Sequence, residues 1–235
     1  MPKNYAMKRI YLLLAVATLF FVQCRTLKVQ DFHATQRVAQ PFPRMGLLVH
    51  QESFAAAFDR ETFFKGFGGN VSVPGGGSPG AYMALSDLPL EDVFAVLGNE
   101  VNENLTENKG DRYGHIRFRL VNYQRRAPGW GYTIPSIATL NTLNVLGMPY
   151  TRLAAEVELQ VEVADANKKV LARYRAPGTG KAYVAMYYGY RHIDAWRKAN
   201  LLALQDAMSK IRPQMEADLA GLNEQLLAAG PLRKK

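Results

Sequence analysis

The residues VELQVEVADANKKVLARYRA, at positions 157–176, decide the fold of this chain. From 153 to 164 apolar residues alternate with acidic or amide residues, namely Glu156, Glu158, Gln160 and Glu162. This alternation has the period of a β-strand with one buried face. Turn residues follow at 165–168, and the next run, 169–176, places Arg173 and Arg175 where they can lie across from the glutamates. The stretch therefore predicts an antiparallel β-hairpin.

Three further segments have the patterns of strands. Residues 115–123 alternate apolar with mostly polar side chains, which is typical of a half-buried strand with Ile116, Phe118 and Leu120 facing the core. The apolar run 45–50 predicts a short buried strand, and the aromatic run 183–190 predicts another strand after the hairpin.

A helix is predicted between the first two of these strands. It begins near Ser86 or Asp87, where a capping side chain precedes Pro89. One face of this helix is apolar and is expected in the core, namely Phe94, Leu97, Val101 and Leu105.

A long amphipathic helix is predicted over 193–211, and Pro213 breaks or kinks it. A second apolar stripe then continues to Gly230. Together the segments predict one α+β domain over 44–230, with an antiparallel or mixed sheet and helices packed on it.

The chain starts with the features of an export signal. Lys3, Lys8 and Arg9 precede an uncharged apolar run at 10–22, which ends just before Cys24, the single cysteine. These thirteen apolar residues are too few to span a bilayer comfortably.

A signal that ends on one cysteine resembles a bacterial lipoprotein signal, in which that cysteine is diacylated and becomes the new N-terminus. Two acyl chains are about what stable anchoring requires. Phe21-Val22-Gln23 stands where the lipoprotein pattern prefers leucine and small residues, so an ordinary signal anchor with an incidental thiol at Cys24 is the alternative. We expect a signal peptide over 1–23 and a lipidated tether over 24–43.

The charge left after removal of the signal is moderately basic. It comprises 26 basic and 20 acidic residues, which gives a net charge of +6. The basic residues are scattered, apart from Arg125 with Arg126 and a short basic tail at 231–235. This distribution favours a solvated surface, and we expect no nucleic-acid partner.

Residues 127–151 carry no charge over 25 positions between Arg126 and Arg152. Aromatic residues near both ends are typical of an element at a membrane interface, whereas its prolines and asparagines argue against a spanning helix. Apolar residues at a spacing of three predict a short helix that begins near Pro135. The segment either packs on the domain's own sheet or contacts a membrane or partner through Trp130, Tyr132, Ile137, Leu140, Leu143 and Leu146.

Three apparent catalytic motifs lack the context that their chemistry needs. Residues 76–80 match the G-x-S-x-G pattern of hydrolases, but Pro79 has no N–H for an oxyanion hole. The G-x-G-x-x-G match at 75–80 lacks a preceding strand and a following helix, and residues 178–181 lack the remaining positions of a P-loop. The four histidines are far apart, so we expect neither a metal site nor a cofactor.

The order of elements resembles that of YajG-type outer-membrane lipoproteins, which share a broader fold group with the curli-secretion lipoprotein and the penicillin-binding-protein activator lipoproteins. The resemblance covers about half of the mature chain. It rests on the lipid-signal start, the strands 45–50 and 115–124, the helix 86–106, the hairpin 157–176 and the helix RHIDAWRKANLLALQDAMSKI at 191–211. It implies helices on an antiparallel or mixed sheet and no enzymatic activity.

These features predict a non-enzymatic lipoprotein anchored through Cys24 in the outer membrane and facing the periplasm, because Arg25 is not the aspartate associated with inner-membrane retention. We expect a binding or accessory role in envelope assembly or transport. The expected partners are the membrane and an envelope protein, and self-association stays open. One alternative is a secretion-pore subunit that inserts 127–151 into the membrane. The other is an envelope hydrolase that uses Ser78 or His115.

Overall fold

The computed structural model describes residues 27, 32, 37–58, 89–126, 130–185, 190 and 192–232. Their centre is a four-stranded mixed sheet with the strands in sequence order. The strands are β1 (Gly46–Val49), β2 (Gly114–Arg126), β3 (Thr151–Asp165) and β4 (Val170–Val184). β1 runs parallel to β2, and the other neighbours are antiparallel. The predicted α+β class with helices packed on a sheet is confirmed.

Six helices are present in the described ranges. They are α1 (Gln51–Phe58), α2 (Leu90–Asn99), α3 (Trp130–Ala138), α4 (Thr142–Val145), α5 (His192–Ala217) and α6 (Leu219–Ala229). A π-helical segment, Glu100–Leu105, continues α2. The long helix α5 packs on β3 and β4 and buries the apolar face of the sheet. The other face of β4 is exposed and carries basic side chains, namely Arg173, Arg175 and Lys181.

The hairpin over 157–176 has the predicted register. Arg173 pairs across from Glu162, and their charged groups lie 2.8 Å apart. Arg175 reaches Glu158 diagonally at 3.5 Å. These ion pairs lie on the open face of the sheet, where such pairs contribute well under about 1 kcal/mol each. The hairpin is therefore stabilised mainly by the buried face of β3, which includes Leu159 and Val161.

The strand predicted over 183–190 is wrong as a separate element where the structure describes it, and 186–189 lie outside the described residues. β4 runs without a break from Val170 to Val184, so Tyr183 belongs to the second strand of the hairpin. Gly178 and Gly180 lie in the middle of this strand and do not interrupt it. Glycine weakens a strand by itself, but a close backbone approach from another element explains both positions.

The helix α5 makes that approach. A Cβ atom at Gly178 would lie 2.7 Å from the backbone nitrogen of Ala207, and a Cβ atom at Gly180 would lie 2.6 Å from that of Ala203. Both distances are far below ordinary van der Waals separation. The G-x-G pair therefore allows α5 to lie directly against the strand, with Ala199 completing the contact.

The helix α2 begins at Leu90, with Pro89 as the residue before its first turn, whereas Ser86 and Asp87 lie outside the described residues. Leu97, Val101 and Leu105 are fully buried as predicted, although the last two lie in the π-helical segment and Phe94 is only half-buried.

Two ion pairs connect this segment to α5. The guanidinium of Arg197 donates to both carboxylate oxygens of Asp92, and that of Arg212 donates to the buried Glu100. Hydrogen bonding to Asp92 raises the pKa of Arg197. The two helical segments are thus held side by side by charged groups with little access to water.

The tether predicted over 24–43 is wrong for its described part, because this part packs against the domain. Phe42 forms a bridge with Thr106 beside the π-helical segment. Four apolar side chains lie in or against the core, namely Leu27, Phe32, Val38 and Phe42. The domain therefore begins well before residue 44, and its first core contact is only three residues after Cys24.

The C-terminal helices follow the predicted apolar stripes with one difference. Met215, Leu219, Leu222 and Leu226 are buried as expected. However, α5 continues through Pro213 to Ala217, and the break comes at Asp218. Gly230 ends α6 with a φ of 77°, which is the left-handed region that favours glycine.

Two backbone groups in the middle of β4 are paired with side chains of α5 on the outer edge of the strand. The N–H of Thr179 donates to Asp206 at 2.8 Å, and the carbonyl of Pro177 accepts from Lys210 at 2.9 Å. Burial alone would raise the pKa of Asp206, but hydrogen bonds from Lys210 and Thr179 lower it. Side chains of α5 thus block edge-to-edge pairing at this point.

Candidate functional site

The uncharged segment 127–151 leaves the sheet where β2 ends and returns where β3 begins. Its described residues form α3 and α4, and α3 contacts β3. The predicted helix begins at Trp130 rather than near Pro135, which lies inside α3. Sequence spacing located the helical turns but not their first residue, because proline is also tolerated within a helix when neighbouring groups satisfy the freed carbonyl.

Most of the large apolar side chains of this segment point into solvent. Ile134 is 60% exposed, Ile137 66%, Leu140 86% and Leu146 82%. We call these four residues, together with the 43%-exposed Val145, the insertion surface. Packing on the domain's own sheet is therefore wrong for these side chains. Exposed apolar side chains gathered in one segment make it a candidate binding surface, because scattered single side chains are the normal case.

The other predicted contact residues have different surroundings. Leu143 and Tyr132 are half-buried, and Tyr132 packs edge-to-face on Tyr183 of β4 with ring centres 6.3 Å apart. Trp130 begins α3, and its side chain lies outside the described part of the structure. Tyr132 thus attaches α3 to the sheet, while Ile137, Leu140 and Leu146 face outward.

Three hydroxyl side chains of the insertion form hydrogen bonds within it. The hydroxyl of Ser136 donates to the Tyr132 carbonyl at 2.6 Å, and that of Thr139 to the Pro135 carbonyl at 2.8 Å. Thr142 donates to the Thr139 carbonyl at 2.7 Å. The carbonyl of Pro135 also accepts the backbone N–H of Thr139 at 3.0 Å.

The turn between α3 and α4 has an unusual backbone. Leu140 and Asn141 have φ angles of 48° and 64°, which place both in the left-handed region. Asparagine tolerates this region, but a leucine there is rare and costs about 1 kcal/mol or more. The strained leucine is also the most exposed large apolar side chain of the insertion surface.

A polar and aromatic cluster lies on the helix side of β2. The Tyr123 hydroxyl donates to the Asn200 side-chain carbonyl at 3.0 Å, and Arg125 donates to the Tyr123 oxygen at 2.9 Å. The Arg125 guanidinium lies 5.0 Å from the centre of the Trp196 ring, a cation–π contact. A β-bulge between Leu120 and Asn122 shifts the alternation, which the sequence pattern did not reveal.

His115 is half-buried at the start of β2 and packs against the backbone at Gly46. Within the described residues its Nδ1 atom has no hydrogen-bond partner. Burial and the nearby cations Arg117, Arg112 and Lys168 lower its pKa. The surroundings are those of a histidine held neutral by packing.

The other half of the hydrolase alternative, Ser78, lies outside the described residues, as does the glycine-rich loop around it. Among the residues that the structure describes, no group of three histidine, cysteine or carboxylate side chains could hold a metal ion.

Comparison with known proteins gives no match: no protein-family model matches the chain, and no curated protein matches it. In the part of the chain that is described, no helix has both the length and the apolar character needed to cross a bilayer. The candidate functional site is therefore identified from the residues of this chain alone, and its most distinctive part is the insertion surface.

Proposed function

We propose that this chain is a non-enzymatic, lipid-anchored envelope protein with a binding or accessory role in envelope assembly or transport. The observation that supports it best is the insertion surface, in which four aliphatic side chains are at least 60% exposed on an uncharged segment. Exposing so much apolar surface costs solubility unless it is covered in use.

The anchor in this proposal is Cys24, in the outer membrane and facing the periplasm. The export-signal pattern before Cys24 supports this location, and so does the presence of arginine rather than aspartate at position 25. Because Leu27 already packs against the domain, the three intervening steps of extended chain allow at most about 10 Å between the acylated residue and the domain. The anchored domain would sit close to the membrane.

The dimensions of the insertion favour surface binding over the secretion-pore alternative. α3 has nine residues and a length of about 14 Å, less than half of the roughly 30 Å hydrocarbon core of a bilayer. The described part of the insertion contains helices rather than strands. The YajG-type resemblance stays a prediction, and it agrees with a non-catalytic role.

The proposed anchor is tested by intact mass and membrane fractionation of the native protein beside a Cys24→Ala variant. The native mass should show loss of residues 1–23 and gain of acyl groups. The variant should be unprocessed or released from the membrane. An unmodified Cys24 in the membrane fraction would contradict the lipoprotein proposal and leave a protein held by its signal segment.

The hydrolase alternative has a separate test. Replacing Ser78 by alanine and His115 by glutamine, one at a time, should leave any envelope-associated hydrolytic activity of the purified chain unchanged. A loss of activity in either variant, with the fold retained, would contradict the non-enzymatic assignment.

A further inference from the structure

We infer that the insertion surface lies in the interfacial region of the bilayer, with Ile137, Leu140 and Leu146 among the acyl chains. The inference rests on the proposed membrane anchor and names the partner of the insertion as lipid rather than protein.

The charge pattern of the insertion fits a lipid surface. No charged residue occurs from 127 to 151, and Arg126 and Arg152 stand at the two points where the insertion joins the sheet. Both arginines are exposed, and the side chain of Arg126 also pairs with Glu156 at 2.7 Å. Arginines at this level can meet anionic headgroups while the uncharged part lies deeper.

Hydrogen bonds within the insertion lower the cost of placing it against lipid. An unsatisfied polar group is costly in hydrocarbon, because water and other partners are absent there. The hydroxyls of Ser136, Thr139 and Thr142 all bond to carbonyls of the insertion itself. Asn144 is fully buried, its side-chain amide donates to the Met148 carbonyl at 3.0 Å, and its Oδ1 atom has no hydrogen-bond partner among the described residues.

The backbone of the turn is closed in the same way. The N–H of Leu140 donates to the Ile137 carbonyl at 3.0 Å, that of Asn141 to Ser136 at 2.7 Å and that of Leu146 to Thr142 at 3.1 Å. An exposed turn in water needs no such closure because water supplies partners. Apart from Asn141 and Thr142, the side chains exposed in the described part of the insertion are apolar.

Leu140 supplies an independent observation. It occupies a left-handed backbone position where asparagine or glycine is favoured, and 86% of its side chain is exposed. A leucine at position 140 therefore gives the folded domain neither an unstrained backbone nor additional buried surface. Contact with acyl chains would supply the missing burial of the leucine side chain.

The insertion surface enters the membrane only to a shallow depth in this arrangement. α3 is too short to span, so the surface would enter about 5–10 Å, the usual depth of interfacial helices.

The test uses the full-length protein with Leu140→Cys, labelled with the polarity-sensitive dye NBD. It is reconstituted in vesicles of phosphatidylethanolamine and phosphatidylglycerol with or without doxyl-labelled lipid. A matched control is Leu227→Cys, since Leu227 is an exposed leucine on α6. The emission of the 140 label should shift to the blue and be quenched by doxyl lipid, whereas the 227 label should behave as in water.

The number of dyes per chain separates this inference from the proposed function. An acylated Cys24 cannot react, so one dye per chain supports the anchor. Two dyes per chain would overturn the proposed anchor. The labelled double variant Cys24→Ala, Leu140→Cys would then test only whether residue 140 contacts the membrane. A second outcome is one dye per chain and a label at residue 140 that remains in water when the vesicles contain no other protein. This outcome would overturn the inference and favour a protein partner.

Discussion

Replacing Gly180 by alanine adds one methyl group at the contact between β4 and α5, and we expect a large loss of stability. The backbone at Gly180 has no positive φ, so alanine can adopt its conformation. The whole effect then arises from the added Cβ, whose nearest neighbour would be the Ala199 carbonyl oxygen, with the Ala203 nitrogen at 2.6 Å and the Ala199 carbonyl carbon at 2.9 Å.

The size of the effect follows from these distances. Contacts of this kind are optimal at about 3.5 Å, so the helix must move away from the strand by about 1 Å or more. A gap of that size removes a quarter to a half of the dispersion energy of neighbouring contacts. Because the groups in contact are backbone atoms and cannot rotate away, we expect a loss of about 3 kcal/mol, at the upper end for overpacked cores.

Urea and thermal unfolding followed by circular dichroism measure this change. For a domain of this size, 3 kcal/mol lowers Tm by about 6–12 °C. Gly178→Ala should behave similarly, since its Cβ would lie 2.7 Å from the Ala207 nitrogen. Gly221→Ala is the matched control, because no atom lies within 4 Å of its added Cβ on α6 and alanine favours helix by about 0.5–1 kcal/mol.

A Gly180→Ala protein within about 1 kcal/mol of the native protein would refute the close packing of α5 on β4. So would equal destabilisation by Gly180→Ala and Gly221→Ala, because the two glycines would then have no different surroundings.

Three further perturbations test other parts of the structure. Leu140→Asn should stabilise the isolated protein by up to about 1 kcal/mol in urea unfolding, because asparagine tolerates the left-handed backbone, and a clear loss of stability would contradict this. Glu100→Ala should cost about 3 kcal/mol of stability, because it leaves Arg212 buried without its partner. Glu156→Ala should cost less than about 1 kcal/mol, because its partner Arg126 is exposed. Equal losses of stability in thermal unfolding would refute this difference in burial. Burial and nearby cations hold the pKa of His115 below 6.5 in the folded state, so the unfolded chain binds more protons just below that pH. The stability that a neutral His115 contributes is present above about pH 6.5 and is lost as the pH falls towards the lowered pKa. The midpoint of urea unfolding should therefore fall between pH 7.5 and pH 5, and His115→Gln should make this pH dependence weaker.

Local periodicity was sufficient to predict the hairpin. The alternation along β3 fixes which side chains face the core, and the turn residues at 165–168 limit which residues can lie opposite each other. Such contacts are close in sequence and repeat with the period of the strand. The buried stripe of α5 was predictable for the same reason, since its spacing matches one face of a helix.

Positions that depend on a distant element were predicted wrongly or not at all. Gly178 and Gly180 look like a loop in sequence, but they lie in a strand because α5 approaches that strand. Val38 and Phe42 look like part of a tether, but they are buried because the π-helical segment offers them a surface. A local pattern carries no information about which remote surface will cover a residue.

The insertion shows the same division within one site. The sequence by itself determined that 127–151 is uncharged and lies between two arginines, and it limited the segment to packing on the sheet or to external binding. Only the tertiary structure excluded packing on the sheet for Ile137, Leu140 and Leu146, since these side chains could have pointed either way from the same helical turns. The physical reason is that hydrophobicity drives burial without direction, and the direction is set by which side of α3 the sheet occupies.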